Sequence, residues 1–182
     1  MKKEFVADHL DVKAFAQAGD EWVGQDVLQK YERMMQETQG LGGDLAVHWS
    51  ALGELRPVLG GPDQVWLHLQ VQATLPLVCQ RCLGRVDSPV SVERSFRFVA
   101  DEDAAAAQDD ESEEEVLALS RDFNLSELIE DELLMELPLV PRHEQCPTEV
   151  KLAAVDQEFE AASAARPNPF AVLSRLQRDK SS

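Results

Sequence analysis

The chain has 182 residues, 44% of them hydrophobic, enough to bury the core of one domain, which excludes wholesale disorder. Thirty-four acids against seventeen bases give a formal charge of −17, which excludes a uniformly basic, nucleic-acid-coating surface. The charge is uneven: residues 101–115 hold nine acids and no base, the remainder is near −8, and the last seventeen residues are net +3, so a local basic surface stays open.

Met1-Lys2-Lys3-Glu4-Phe5 leads into Asp8 and Asp11 rather than into an apolar segment, so the start does not read as a secretory signal. No run is long enough to cross a bilayer. Three cysteines, two of them in Cys-x-x-Cys spacing, fit a reducing compartment better than a disulfide scaffold. The expected location is cytoplasmic, with no membrane partner.

In the first forty residues, Val27, Tyr31, Met34 and Met35 recur at helical spacing and predict a helix over about 25–38. Glu21-Trp22-Val23, just before it, suits an extended segment. Gly40, Gly42 and Gly43 then break the chain. From there to residue 99 the period is two. Leu45, Val47 and Trp49 alternate with polar or small neighbours, as do Val65, Leu67, Leu69 and Val71, with Gly60-Gly61-Pro62-Asp63 as the hairpin connection. Val90, Val92, Phe96 and Phe98 predict a further strand, and Glu115–Leu119 a short one. The strands read as an antiparallel meander. The acidic stretch 101–115 reads as a mobile loop, because like charges repel and extend the backbone; its four consecutive alanines, Ala104–Ala107, leave a partly helical excursion open.

The clearest helix covers 124–137. Asn124 suits the N-cap with Glu127 three residues on, and Leu125, Leu128, Ile129, Leu133 and Leu137 form one stripe. Pro138 and Pro141 stop it. A second helix is predicted over about 148–164, and a last amphipathic turn over Phe170–Leu176. The fold class that follows is α+β: an antiparallel meander packed against an amphipathic helix, with helical segments at both ends. The divisions are an N-terminal helical segment 1–42, a core 43–146 that carries the acidic loop, and a helical segment with a basic tail, 147–182.

All three cysteines lie in two phrases about sixty residues apart: Cys79-Gln80-Arg81-Cys82, at the connection between two strands, and His143-Glu144-Gln145-Cys146, after the helix. Zinc takes three or four soft or borderline ligands in tetrahedral array, and each phrase offers two. Cys79, Cys82, His143 and Cys146 are therefore the metal candidates, for a structural zinc that would staple the segments together. Reduced thiols packed at a turn, and redox use, are the other two readings. The redox reading is the weakest, since Cys79 follows a strand-like run instead of opening a helix, where the dipole would lower its pKa. The carboxylates sit in a charge run or on a helix face, no nucleophile–base order stands out, and no phosphate-cradling glycine motif is present; no enzyme is expected.

For RNA, the bases near the cysteines are the candidates: Arg81 and Arg85 bracket Cys82, Arg142 adjoins His143, and Arg175, Arg178 and Lys180 lie on the tail. Phosphate contacts from such a patch would be salt-dependent and carry little sequence information. Pairing with surface acids is the competing reading for each arginine, and Arg94 and Arg97 on the preceding strand are open to the same question. The acidic run could bind a basic partner, restrain the basic tail, or be solvated only.

Three phrases, Cys79-Gln80-Arg81-Cys82-Leu83, then Leu137-Pro138-Leu139-Val140-Pro141-Arg142-His143-Glu144-Gln145-Cys146, then Arg166-Pro167-Asn168-Pro169-Phe170-Ala171-Val172-Leu173, in this order, resemble the large ribosomal RNA subunit accumulation protein YceD family. The resemblance runs from about residue 43 onward. It implies a ribosome-biogenesis factor acting in synthesis, processing or stability of large-subunit (23S) ribosomal RNA. The implied partner is that rRNA or a pre-ribosomal particle. An acidic chaperone or adaptor for a basic ribosomal protein, and a thiol redox protein, are the other functional classes. Some relatives of this kind carry more cysteines after the Leu-Pro-x-x-Pro phrase than this chain does.

Overall fold

Alternating burial along three long segments builds the centre of the molecule, described here from a computed structural model that covers residues 6–109, 112–149 and 156. Strands β1 (Glu21–Val27), β2 (Ala46–Arg56), β3 (Gln64–Val78), β4 (Arg85–Val99) and β5 (Glu115–Ala118) form one sheet in the order β1-β2-β3-β4-β5. Helices are α1 (Val12–Ala18), α2 (Glu32–Glu37), α3 (Glu102–Asp109) and α4 (Leu125–Met135). The α+β class expected from the sequence is the class observed.

Register follows from the period of two. Val47, Trp49 and Ala51 of β2 lie opposite Ala73, Val71 and Leu69 of β3, and Leu67, Val71 and Leu77 of β3 lie opposite Phe96, Val92 and Val86 of β4. Apart from the half-buried Ala73, these residues, with Phe15, Tyr31, Leu125, Ile129 and Leu133, belong to the buried core. Each large apolar side chain taken wholly out of water contributes about 1.5–3 kcal/mol. A one-residue slip would turn every one of them to solvent, so the pattern specifies the pairing. The opposite face carries His48, Ser50, Gln70 and Gln72, the polar side of an antiparallel sheet covered on one face.

Two expectations are corrected. The predicted helix over 25–38 begins later: residues 21–27 pair with β2 as the edge strand, Leu28–Lys30 form a 3-10 turn, and only Glu32–Glu37 are α-helical. The reason is tertiary. Asp26, on the core side of β1, accepts hydrogen bonds from Tyr31 Oη (2.8 Å), Trp49 Nε1 (2.9 Å) and Lys30 Nζ (3.2 Å), which holds this stretch extended. Gly24 permits the approach, since a Cβ there would lie 2.2 Å from the Trp49 ring.

Within the N-terminal segment expected to be helical lies α1, whose position the sequence pattern does not mark. Asp11 caps it, accepting from Ala14 N at 2.9 Å, and Gly19 ends it with φ +62°. It sits directly on β2: a Cβ at Gly53 would lie 2.8 Å from the Ala16 backbone. Leu10 and Phe123 exchange backbone hydrogen bonds, and Leu125 N donates to Ala7 O, so the N-terminal segment is fastened to the entry of α4.

The second correction concerns β5, which runs parallel to β4 and not as the last strand of an antiparallel meander. A parallel neighbour needs a crossover of a dozen residues or more. The acidic stretch supplies that length, and its alanines form α3. Arg97, 8% exposed, grips the returning chain through Glu114 (2.7 Å), Gln108 (3.0 Å) and Ser112 (2.8 Å). The predicted helix over 148–164 and the turn at 170–176 fall outside the described residues, apart from Thr148, Glu149 and Asp156.

Candidate metal centre

The β3–β4 connection is a six-residue knuckle whose two ends close on themselves. Cys79 N donates to Gly84 O and Leu83 N to Cys79 O, both at 2.8 Å, and Leu83 takes a left-handed φ of +59°. This turn aims the Cys79 and Cys82 thiols toward the chain that leaves α4. Asn124 caps that helix by accepting from Glu127 N at 3.0 Å, and Glu136 ends it two residues before Pro138. The proline-bearing stretch cannot continue the helix, so it runs past the knuckle, where Gln80 N donates to Pro141 O at 2.9 Å.

Cys79, Cys82, His143 and Cys146 thereby converge, with their four ligand atoms within 4.8 Å of one another. Cys82 Sγ lies 3.4 Å from His143 Nδ1. Cys79 is fully buried, Cys82 and Cys146 are partly covered, and all three thiols are free. Among the described residues no other group of this kind is present.

The electrostatics separate the thiols. Burial opposes ionisation of Cys79, but the backbone N–H groups of Cys82, His143 and Arg81, with the His143 side chain, outweigh it and bring the pKa down to about 5. Cys146 moves the other way, to about 11, through burial first and then the hydrogen bonds and charge of Cys82 and Cys79. The two thiols are thus pushed in opposite directions, Cys79 down and Cys146 up. A divalent cation resolves this crowding, because it binds thiolates and displaces their protons. Zinc–sulfur bonds of about 2.3 Å give a tetrahedron with edges of about 3.8 Å, within the spread of the cluster, whose ligand atoms lie from 3.4 Å (Cys82 to His143) to no more than 4.8 Å apart. The donor set fits a structural Cys3His zinc. Redox use fits poorly, since the low-pKa thiol, Cys79, is inaccessible, whereas reactive cysteines are at least partly exposed.

The candidate RNA-contacting arginines divide. Arg81 and Arg142 are exposed and flank the residues that join the two segments. Arg85 is exposed and pairs with Asp87 at 2.8 Å. Arg175, Arg178 and Lys180 fall outside the described residues. Arg97 is consumed by the α3–β5 connection and Arg94 lies 3.4 Å from Glu132, so neither is free for phosphate. The sequence reading missed the apolar rim beside the cysteines, Leu83, Leu139 and Val140, which are 76, 99 and 59% exposed. It also missed Glu132, which is 1% exposed. The signal was there: position 132 stands four residues after Leu128 and three after Ile129, on the apolar stripe of α4.

No solved structure matches this chain. The large ribosomal RNA subunit accumulation protein YceD of Haemophilus influenzae is 33% identical over 114 residues, which cover 60% of this chain and 63% of that protein. The family model described as large ribosomal RNA subunit accumulation protein YceD matches residues 67–177, from β3 through both cysteine phrases and beyond. Among the described residues no helix is long and apolar enough to cross a membrane. A match over this much of the sequence identifies the chain as a member of the YceD family of large ribosomal RNA subunit accumulation proteins.

Proposed function

We propose that the protein is a non-enzymatic, cytoplasmic assembly factor that promotes accumulation of large-subunit rRNA by holding the RNA, or a precursor particle, at its cysteine knuckle. The family match carries this reading. The geometry supports it in one respect: the convergence that brings four metal-ligand atoms within 4.8 Å of one another also places exposed Arg81 and Arg142 on adjoining segments, with Arg85 at the start of β4. Bound zinc would fix these segments relative to each other, and the apolar rim of Leu83 and Leu139 offers surface on which an unstacked base can rest.

The test is a clean deletion, complemented with the wild-type protein or with Arg81→Glu/Arg142→Glu. Deletion should lower mature large-subunit rRNA relative to the small-subunit species. The charge-reversed protein should fold, associate with RNA more weakly, and fail to restore the ratio. Association of the wild type should fall steeply with salt, since each phosphate contact releases counterions. Unchanged rRNA ratios in the deletion would overturn the function. Full rescue by the reversed protein would overturn the contact surface.

A further inference from the structure

At the far end of β4 from the cysteine knuckle, the sheet ends in an unused edge. β5 pairs with β4 through Phe96–Val99, and among the described residues no hydrogen bond joins its outer edge to another element. Beside it, toward α4, lies a groove of about 410 Å³. Its apolar lining includes Val116, Leu117, Phe123 and Leu128. Its charged lining is Glu102, Glu115, Asp122, Glu127, Asp131 and Glu132, with no base. His9 takes Asp122 and Arg33 takes Asp131, but Glu102, Glu115 and Glu127 have no ion-pair partner among the described residues.

Glu132 of α4 lines the same groove. Its carboxyl is 1% exposed; Oε2 lies 3.4 Å from the half-exposed guanidinium of Arg94, and Oε1 accepts no hydrogen bond. A buried carboxylate oxygen without a donor is costly, and a donor brought to Oε1 from the groove side would relieve it. We propose that this groove is the docking site for an extended, lysine- or arginine-bearing segment of a basic protein, which adds to the sheet as a strand beside β5. Backbone pairing with the free edge would provide register. Alternate side chains of such a strand face one way, so basic residues two apart would reach the acids while their aliphatic stems cover Leu117. A nucleic acid does not fit, because Glu102, Glu115 and Glu127, unpaired among the described residues, and no lining base would face its phosphates. This goes beyond the RNA reading and does not depend on it.

The probe is a fluorescent ten-residue peptide of alternating arginine and valine, titrated by anisotropy against the full-length protein. Two control peptides have the same charge: one carries proline at two strand positions, and one is built of D-residues. Saturable one-to-one binding is expected, with at least a fivefold loss for the proline peptide and at least a tenfold loss in Glu115→Lys/Glu127→Lys. A matched change in charge elsewhere, Glu37→Lys/Glu93→Lys, should cost less than twofold. Amide shifts on binding should centre on Val116–Ala118. Equal weakening by both double variants would reduce the effect to bulk attraction of a polycation to a −17 chain and overturn the site. So would equal binding of the proline peptide, or displacement of the arginine–valine peptide by a single-stranded RNA oligonucleotide of the same length.

Discussion

The two ends of β4 carry opposite chemistries. Where the strand begins, at Arg85, three cysteines, a histidine and exposed arginines gather around a tight turn. Where it ends, beside β5, acids line a groove next to an unpaired edge. About 40 Å of strand separates them. Both ends are built from segments far apart in sequence, but by different means. The first is a convergence of metal donors, in which every ligand atom must be placed to a few tenths of an ångström. The second is a charge field on an open edge, tolerant of detail and sensitive to salt. A net charge of −17 describes neither: it conceals a basic end and says nothing about where the acids can act.

The largest expected effect is at the knuckle. Zinc present at about a thousandfold over its Kd stabilises by about 4 kcal/mol, roughly 8–16 °C in the midpoint for a domain of this size. Protein prepared under reducing conditions should contain about one equivalent of zinc by elemental analysis. Chelation or Cys82→Ser should remove both the metal and this stabilisation, while peptide binding at the groove persists below the new midpoint. Loading must displace the proton of Cys146, whose pKa stands near 11, so zinc affinity should fall as pH falls. Protein never exposed to chelator and found free of stoichiometric metal would leave the knuckle a cluster of packed thiols and remove one side of the contrast.

Next in size is Arg97→Ala. It removes three hydrogen bonds and strands the Glu114 carboxylate, which Arg97 holds below its usual pKa range. The expected cost is about 2–3 kcal/mol, and amide exchange should accelerate at β5 before it does at Cys79–Gly84. Equal acceleration at both ends would mean they unfold as one unit.

Glu132→Gln should act in the opposite direction. Burial, and then the charge of Glu115, raise the pKa of Glu132 in the folded protein, only partly offset by Arg94. The native state then holds more protons than the unfolded state between the ordinary and the raised value, so stability declines as pH rises through that window. The amide should stabilise the protein by about 1 kcal/mol at neutral pH, with the gain shrinking toward zero as pH falls below the ordinary carboxyl range, while groove affinity drops. Urea titrations at several pH values measure this. A loss of stability at neutral pH would show that Glu132 is satisfied where it stands.

The smallest effect belongs to Arg85→Ala. Its pair with Asp87 is exposed on both sides, so the change in stability should be within about 0.5 kcal/mol. A larger loss in a denaturant titration would mean that Arg85 supports the knuckle itself.

What the sequence determined by itself is what local pattern can encode. Period-two burial produced β2, β3 and β4, and their registers follow from which face is apolar. Asn124 and the leucine stripe produced α4. Cys-x-x-Cys, His-x-x-Cys and their neighbouring phrases pointed to the ligand set and to the family. Tertiary structure decided what depends on partners elsewhere in the chain. Residues 25–27 are extended because Asp26 binds Tyr31 and Trp49. The acidic stretch carries a helix and returns as a parallel strand because Arg97 holds Glu114, Gln108 and Ser112. Whether an arginine stays exposed with no ion-pair partner among the described residues, as Arg81 does, or is spent on a carboxylate, as Arg97 is, also depends on such a partner. Periodicity reports how a residue faces its neighbours along the chain, whereas an ion pair or a sheet edge is settled only by what folding brings alongside it.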